Sequence, residues 1–120
     1  MNMPGIITTE LGKVAIGEDL IASIAGYAAL ENYGIAGMSS KTAGDAILQL
    51  IGGENHKRGV KVTFAEAEGE VDIDLFVTLI YGVSLPAVAQ NMMSNVRYKV
   101  HEMTGLTVRN VNIHVETVRT

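Results

Sequence analysis

The stretch EVDIDLFVTLIYG, Glu70 to Gly82, decides how this chain folds. Val71, Ile73, Leu75, Val77 and Leu79 occupy every second position, with Glu70, Asp72, Asp74, Phe76 and Thr78 between them. Successive side chains of a strand point to opposite faces, so the alternation predicts a strand with one apolar face and one polar face. Such a strand needs cover on one side only, which calls for helices packed on a single face of a sheet. It also lines three carboxylates, Glu70, Asp72 and Asp74, along the other face.

Upstream, Val60, Val62 and Phe64 alternate with Lys61, Thr63 and Ala65 and form the second arm of a hairpin. A two-residue loop at Glu68-Gly69 would pair Val60 with Val77, Val62 with Leu75 and Phe64 with Ile73. A slip of one residue would set apolar side chains against a polar face and is disfavoured. In this register Asp74 faces Thr63, with Lys61 as its diagonal neighbour. Before the hairpin the spacing predicts a short helix over Thr42 to Ile51, a short strand over Ile35 to Ser39, and a longer helix over Glu18 to Tyr33. In that longer helix Leu20, Ile21, Ile24, Ala25 and Ala28 form the core stripe, Glu18 and Asp19 meet the positive end of the dipole, and Gly34 is the expected left-handed cap. Ile6 to Ile16, broken at Gly12, reads as a small hairpin or edge piece.

Downstream, Ser84 and Pro86 open the longest helix. Val88, Met92, Val96, Val100 and Met103 are its expected core stripe, Met93 lies beside them, and Gly105 ends it. His101 falls in the last turn, where it complements the dipole. A final strand over about Thr107 to Val118 buries Val111, Ile113 and Val115 and shows Asn110, Asn112, His114 and Glu116 on its other side. It is expected to run parallel to the Glu70 strand through a right-handed crossover. The fold class is therefore α+β, a two-layer arrangement with helices packed on one face of a mixed β-sheet, and residues 1–120 are expected to form one domain.

Composition narrows the function. The 120 residues carry 13 acidic and 9 Lys or Arg side chains, a net charge of -4, against the basic surface that nucleic acid requires. No cysteine is present, which excludes disulfides, thiolate metal sites and cysteine nucleophiles. Met1 to Leu11 lacks a basic start and an apolar run, so it does not read as a signal peptide, and no run reaches the roughly 18 apolar residues of a membrane span. A cytoplasmic protein is expected, with any approach to a membrane made through a partner.

Three constellations carry possible chemistry. Asp72 and Asp74 with His114 and Glu116 share one side of two strands, and imidazole with carboxylates suits a divalent cation or acid–base work. Nothing in the spacing sets them at one height, so a solvated strand face is the preferred reading. On that reading Asp72→Asn changes stability by under about 0.5 kcal/mol. Asn55-His56-Lys57-Arg58 is the one basic cluster, flanked by Gly53 and Gly59; it lacks the spacing of a P-loop and reads as a solvated loop. Ser39, Ser40 and Ser84 have no histidine and carboxylate at a recognisable offset, so no hydrolytic triad is read. No catalytic residue, cofactor or resident metal is assigned. Lys57 and Arg58 against Glu68, Glu70 and Asp72 form two patches of opposite sign, interaction candidates for a salt-sensitive homo-oligomer.

Several segments, in order and over nearly the whole chain, resemble the alkaline shock protein family of bacterial envelope-stress proteins. They are Gly12-Lys13-Val14-Ala15-Ile16, Ile24-Ala25 with Ala28-Ala29, Gly34-Ile35-Ala36-Gly37-Met38 and Arg58-Gly59-Val60-Lys61-Val62. The acidic strand closing on Tyr81-Gly82 follows, then Met103-Thr104-Gly105-Leu106 leading to Val111-Asn112-Ile113. The resemblance implies a cytoplasmic, non-enzymatic protein that acts through protein contacts near the inner face of the envelope, by self-association or partner binding. It implies a membrane-anchoring partner for larger members. For the short stand-alone group, which the near absence of tails favours, it implies a kinase resembling dihydroxyacetone kinase, of the fatty-acid-kinase type. A small ligand- or metal-binding domain is the alternative.

Overall fold

The computed structural model describes residues 5–32, 34–38 and 59–120. The helix expected over Thr42 to Ile51 and the basic cluster with Lys57 and Arg58 lie outside the described residues. Among the described residues eight elements follow in order: β1 (Gly5–Thr9), β2 (Gly12–Ile16), α1 (Glu18–Leu30), β3 (Ile35–Met38), β4 (Val60–Phe64), β5 (Glu70–Ile80), α2 (Leu85–Thr104) and β6 (Thr107–Arg119).

β5 is the centre of the sheet. Along one side it pairs with β6, in parallel, from Glu70↔Thr107 to Ile80↔Arg119. Along the other it pairs antiparallel with β4 over its first half and with β3 over its last residues. The sheet is mixed, α1 and α2 lie on one face, and the α+β arrangement expected from the alternation is the one observed. Val71, Ile73, Leu75, Val77 and Leu79 are fully buried against Ile21, Ala25 and Ala28 of α1 and Val88, Met92, Val96 and Val100 of α2. The small side chains of α1 let the two helices approach closely enough that Asn95 Nδ2 donates to Ala28 O at 2.7 Å. The β1–β2 hairpin closes the lower end of the core: Ile7 packs against it, and Thr8 Oγ1 donates to Glu68 Oε2 at 2.9 Å.

Four expectations need correction. The hairpin register is two residues off: Val60 pairs with Leu75, Val62 with Ile73 and Phe64 with Val71, so Asp74 lies opposite Lys61 and Asp72 opposite Thr63. The cause is the turn. Ala65 N donates to Glu70 O at 3.0 Å, which leaves four residues in the loop, with Gly69 at φ 82° in the left-handed region. A two-residue shift preserves the faces, which is why the alternation still sorted core from surface.

α1 ends at Leu30, three residues before Tyr33, and its cap is Glu31 in the right-handed region, not Gly34. Asn32 Nδ2 donates to Ala28 O at 2.9 Å and to Ala29 O at 3.1 Å, adding a side-chain donor at the helix end to the bonds these carbonyls take from Asn95 Nδ2 and from the Asn32 backbone N–H. Leu20 and Met103, read as core, are 53% and 65% exposed. Along β6 only Val108 and Val111 are buried; Ile113 is half-buried and Val115 is exposed.

α2 follows the expected pattern at both ends. Ser84 Oγ accepts from Ala87 N at 3.4 Å, and Gly105, at φ 79°, sends its N–H to His101 O at 2.8 Å. His101 Nδ1 lies 3.1 Å from Leu106 O; a carbonyl only accepts, so Nδ1 carries the proton. The ring thereby ties the last turn of α2 to the start of β6.

Candidate functional site

The face of the sheet opposite the helices carries the charged side chains. Two bulges in β6 determine which of them meet. The β5–β6 register skips Arg109 and then Glu116, each an extra residue on β6 with no counterpart on β5. The first bulge brings Arg109 to Asp72: Nε and Nη2 both donate to its carboxylate, and Asn110 Nδ2 adds a third bond at 3.1 Å. Glu70 lies 4.0 Å from Arg109 Nε and completes the local cluster. The guanidinium bonds from Arg109 hold the Asp72 carboxyl below its ordinary value, Asn110 adds to this, and desolvation opposes it. The same bonds, together with the charge of Asp72, raise the Arg109 guanidinium further.

One rung further along, Asp74 Oδ1 accepts from Asn112 Nδ2 at 3.1 Å and from His114 Nε2 at 3.1 Å. The imidazole of His114 stacks on Phe76 with centroids 4.4 Å apart and rings 10° from parallel. Glu116, in the second bulge, makes none of these bonds. Asp74 and His114 thus converge, Asp72 is turned to Arg109, and Glu116 stands apart. Among the described residues no group of three His, Asp or Glu side chains is placed to hold a metal ion. Of the interaction candidates, Glu68 holds the β1–β2 hairpin through Thr8, and Glu70 and Asp72 face Arg109.

Arg109 was missed by the period-two reading, yet a signal was present. Val108 and Val111 are three apart, as are Val115 and Val118, and each interval breaks strict alternation where a bulge lies. A second missed feature lies on the helical layer. Leu20, Ile24, Tyr27, Ala28 and Met103, with Glu31 and Lys99 at its rim, line a groove of about 430 Å³ between α1 and α2.

A two-layer α+β protein with a hydrogen-bonded polar sheet face and an apolar groove on its helical side is the class these observations define. The chain belongs to the alkaline shock protein 23 family, described by a cell envelope-related function, which it matches over residues 6–120. It is 39% identical over 115 residues to the uncharacterized protein YloU of Bacillus subtilis, covering 94% of this chain and 93% of that one. It is 31% identical over 114 residues to the uncharacterized protein Spy1614 of Streptococcus pyogenes serotype M6, covering 94% and 93%. Among solved structures it is similar to a MamM CTD variant, with a TM-score of 0.51 at 10% identity over 87% of this chain and 100% of that one, a likeness of fold alone. Among the described residues no helix is long and apolar enough to cross a membrane.

Proposed function

We propose that residues 1–120 act as one non-enzymatic contact domain of the envelope stress response, working by self-association or by binding a protein partner. The observation that carries this reading is the groove between α1 and α2, where Leu20, Tyr27 and Met103 are each more than half exposed. Clustered large apolar side chains left in water mark contact surfaces. The carboxylates of the open face, by contrast, are engaged by Arg109, Asn110, Asn112 and His114, which argues for a structural role over a reactive one. The partner is a protein of the kind the family resemblance implies, an anchor in the membrane or a kinase resembling dihydroxyacetone kinase. Cytoplasmic placement near the membrane then comes through that partner.

Co-purification from native cells, comparing the wild-type chain with Tyr27→Glu and Met103→Glu, tests this. Loss of a defined partner from both variants, with their folds intact, supports the reading. Identical co-purified sets, together with a monomer at every concentration, would overturn it. A charge-steered oligomer between Lys57-Arg58 and the acidic face predicts dissociation as salt rises past the screening regime of about 0.15 M.

A further inference from the structure

Among the described residues β6 is a free edge. It pairs with β5 alone, and no described strand lies along its other side. Its first end is closed, because Arg97 Nη2 donates to Arg109 O at 3.0 Å. From Asn110 to Val115 the strand is regular, between the two bulges, and contains neither Pro nor Lys, the residues that commonly protect an edge. A row of unpaired backbone donors and acceptors of this kind is a template for another strand.

The side chains along this edge say which strand. On the helix side, exposure rises from 6% at Val111 to 37% at Val115 and 41% at Val118, so the apolar row continues past the cover that α2 provides. Met93 extends that strip: it lies one turn before Arg97 on the β6 flank of α2 and is 36% exposed. A two-fold axis through Ile113 makes the row complementary to itself. Val111 then meets Val115 of a second copy, Ile113 meets its own counterpart, Asn112 meets His114, and Asn110 meets Glu116. Every helix-side pair is apolar, and every open-face pair joins groups that can hydrogen-bond.

We infer that β6 joins β6 of a second copy, antiparallel and centred on Ile113, to give an isologous dimer with one continuous sheet. This rests on the self-association arm of the proposed function and names its surface. Edge bonds alone fall short of the roughly 1,000 Å² that a specific interface needs. Ile113 against its counterpart, and Val115 against Val111 of the other copy in each half of the seam, add apolar area. The contact is made of backbone bonds and apolar side chains, so it persists at salt levels that dissolve a charge-steered pair.

The absence of cysteine makes the test clean. In the full chain Ile113→Cys places two thiols directly opposite, within the roughly 4.4–6.8 Å Cα separation that a disulfide spans. Asn110→Cys places them about 20 Å apart, six residues at about 3.4 Å each. Under mild oxidation the first is expected to cross-link to a covalent dimer and the second to remain a monomer. Light scattering should give a mass near twice 12.8 kDa at both low and high salt. Val115→Lys, at an exposed position and checked for a native thermal melt, should return that mass to one copy. A dimer that survives Val115→Lys, with no cross-link in the Ile113→Cys variant, would sink the β6 edge and leave self-association by another surface. A monomer at every concentration would remove self-association itself.

Discussion

The two faces of β5 are one residue apart along the chain and are held by different forces. On the helix side Val71, Ile73, Leu75, Val77 and Leu79 are fully removed from water. On the open side Asp72 and Asp74 keep partial exposure and are held by side-chain bonds from β6. Burial of apolar surface is non-directional and large, while hydrogen bonds exposed to solvent are directional and modest. The first face therefore sets how stable the protein is. The second sets how β6 lies against β5, since each rung joins particular residues on the two strands.

The comparison breaks most visibly at Leu75. Leu75→Ala removes a fully buried side chain from the middle of the strand, where helices and neighbouring strands leave little room to collapse. A loss of about 2–5 kcal/mol is expected, read as a lower denaturation midpoint with an unchanged slope. A midpoint within error of wild type would mean the helical layer does not rest on this face.

One residue over from that face, Asp72→Asn should cost about 0.5–1 kcal/mol, more than a purely solvated carboxylate would. The increase over the sequence-based expectation comes from Arg109, whose two-nitrogen contact only the bulge makes possible. The pH dependence sharpens the point. The folded Asp72 carboxyl titrates below its ordinary 3.8, mainly through the Arg109 bonds. Its contribution is therefore present above that value and is lost as pH falls through the lowered one. Stability curves of wild type and Asp72→Asn should begin to converge below about pH 4, where the unfolded carboxyl takes up its proton first, and should meet only below the lowered folded value. Parallel curves down to the acid limit would show that the Arg109 contact contributes nothing.

How much of this was legible follows the same division. Faces were readable because strand parity survives a register error of two, so Val62 and Ile73 were placed inward although their expected partners were wrong. The register was not readable because it depends on whether the turn holds two residues or four, and Gly69 suits the end of either. Helical spacing tells which way a side chain points but not how far its cover extends. Leu20 and Met103 consequently point along core stripes and still emerge into the groove. Asn32 ended α1 early through a side-chain amide, a local competition that periodicity does not register. Of the candidate site, the strands and the side were legible; the pairing of Asp72 with Arg109 rested on a bulge.

A smaller effect is expected one rung along. His114→Ala removes one solvent-exposed donor to Asp74 and the stack on the half-buried Phe76. Asp74 keeps its bond from Asn112 Nδ2, so no carboxylate is left bare. The loss should stay under about 0.5 kcal/mol, measured by the same denaturation series. A larger loss would give the open face a share in global stability that its exposure does not explain.

The smallest expected effect is none at all. Asp74 and His114 converge, but Asp72 is committed to Arg109 and Glu116 stands outside the cluster, so a divalent cation would find two ligands on an open surface. A cation stabilises a fold only by binding the folded state more tightly than the unfolded one, and two exposed ligands give it little preference. Calcium, magnesium, manganese and zinc at near-physiological levels should accordingly leave the melting temperature unchanged. A saturable rise with zinc that disappears in both His114→Ala and Asp74→Asn would show that the ladder rearranges around an ion, and the open face would then be a binding site rather than a strand-pairing device.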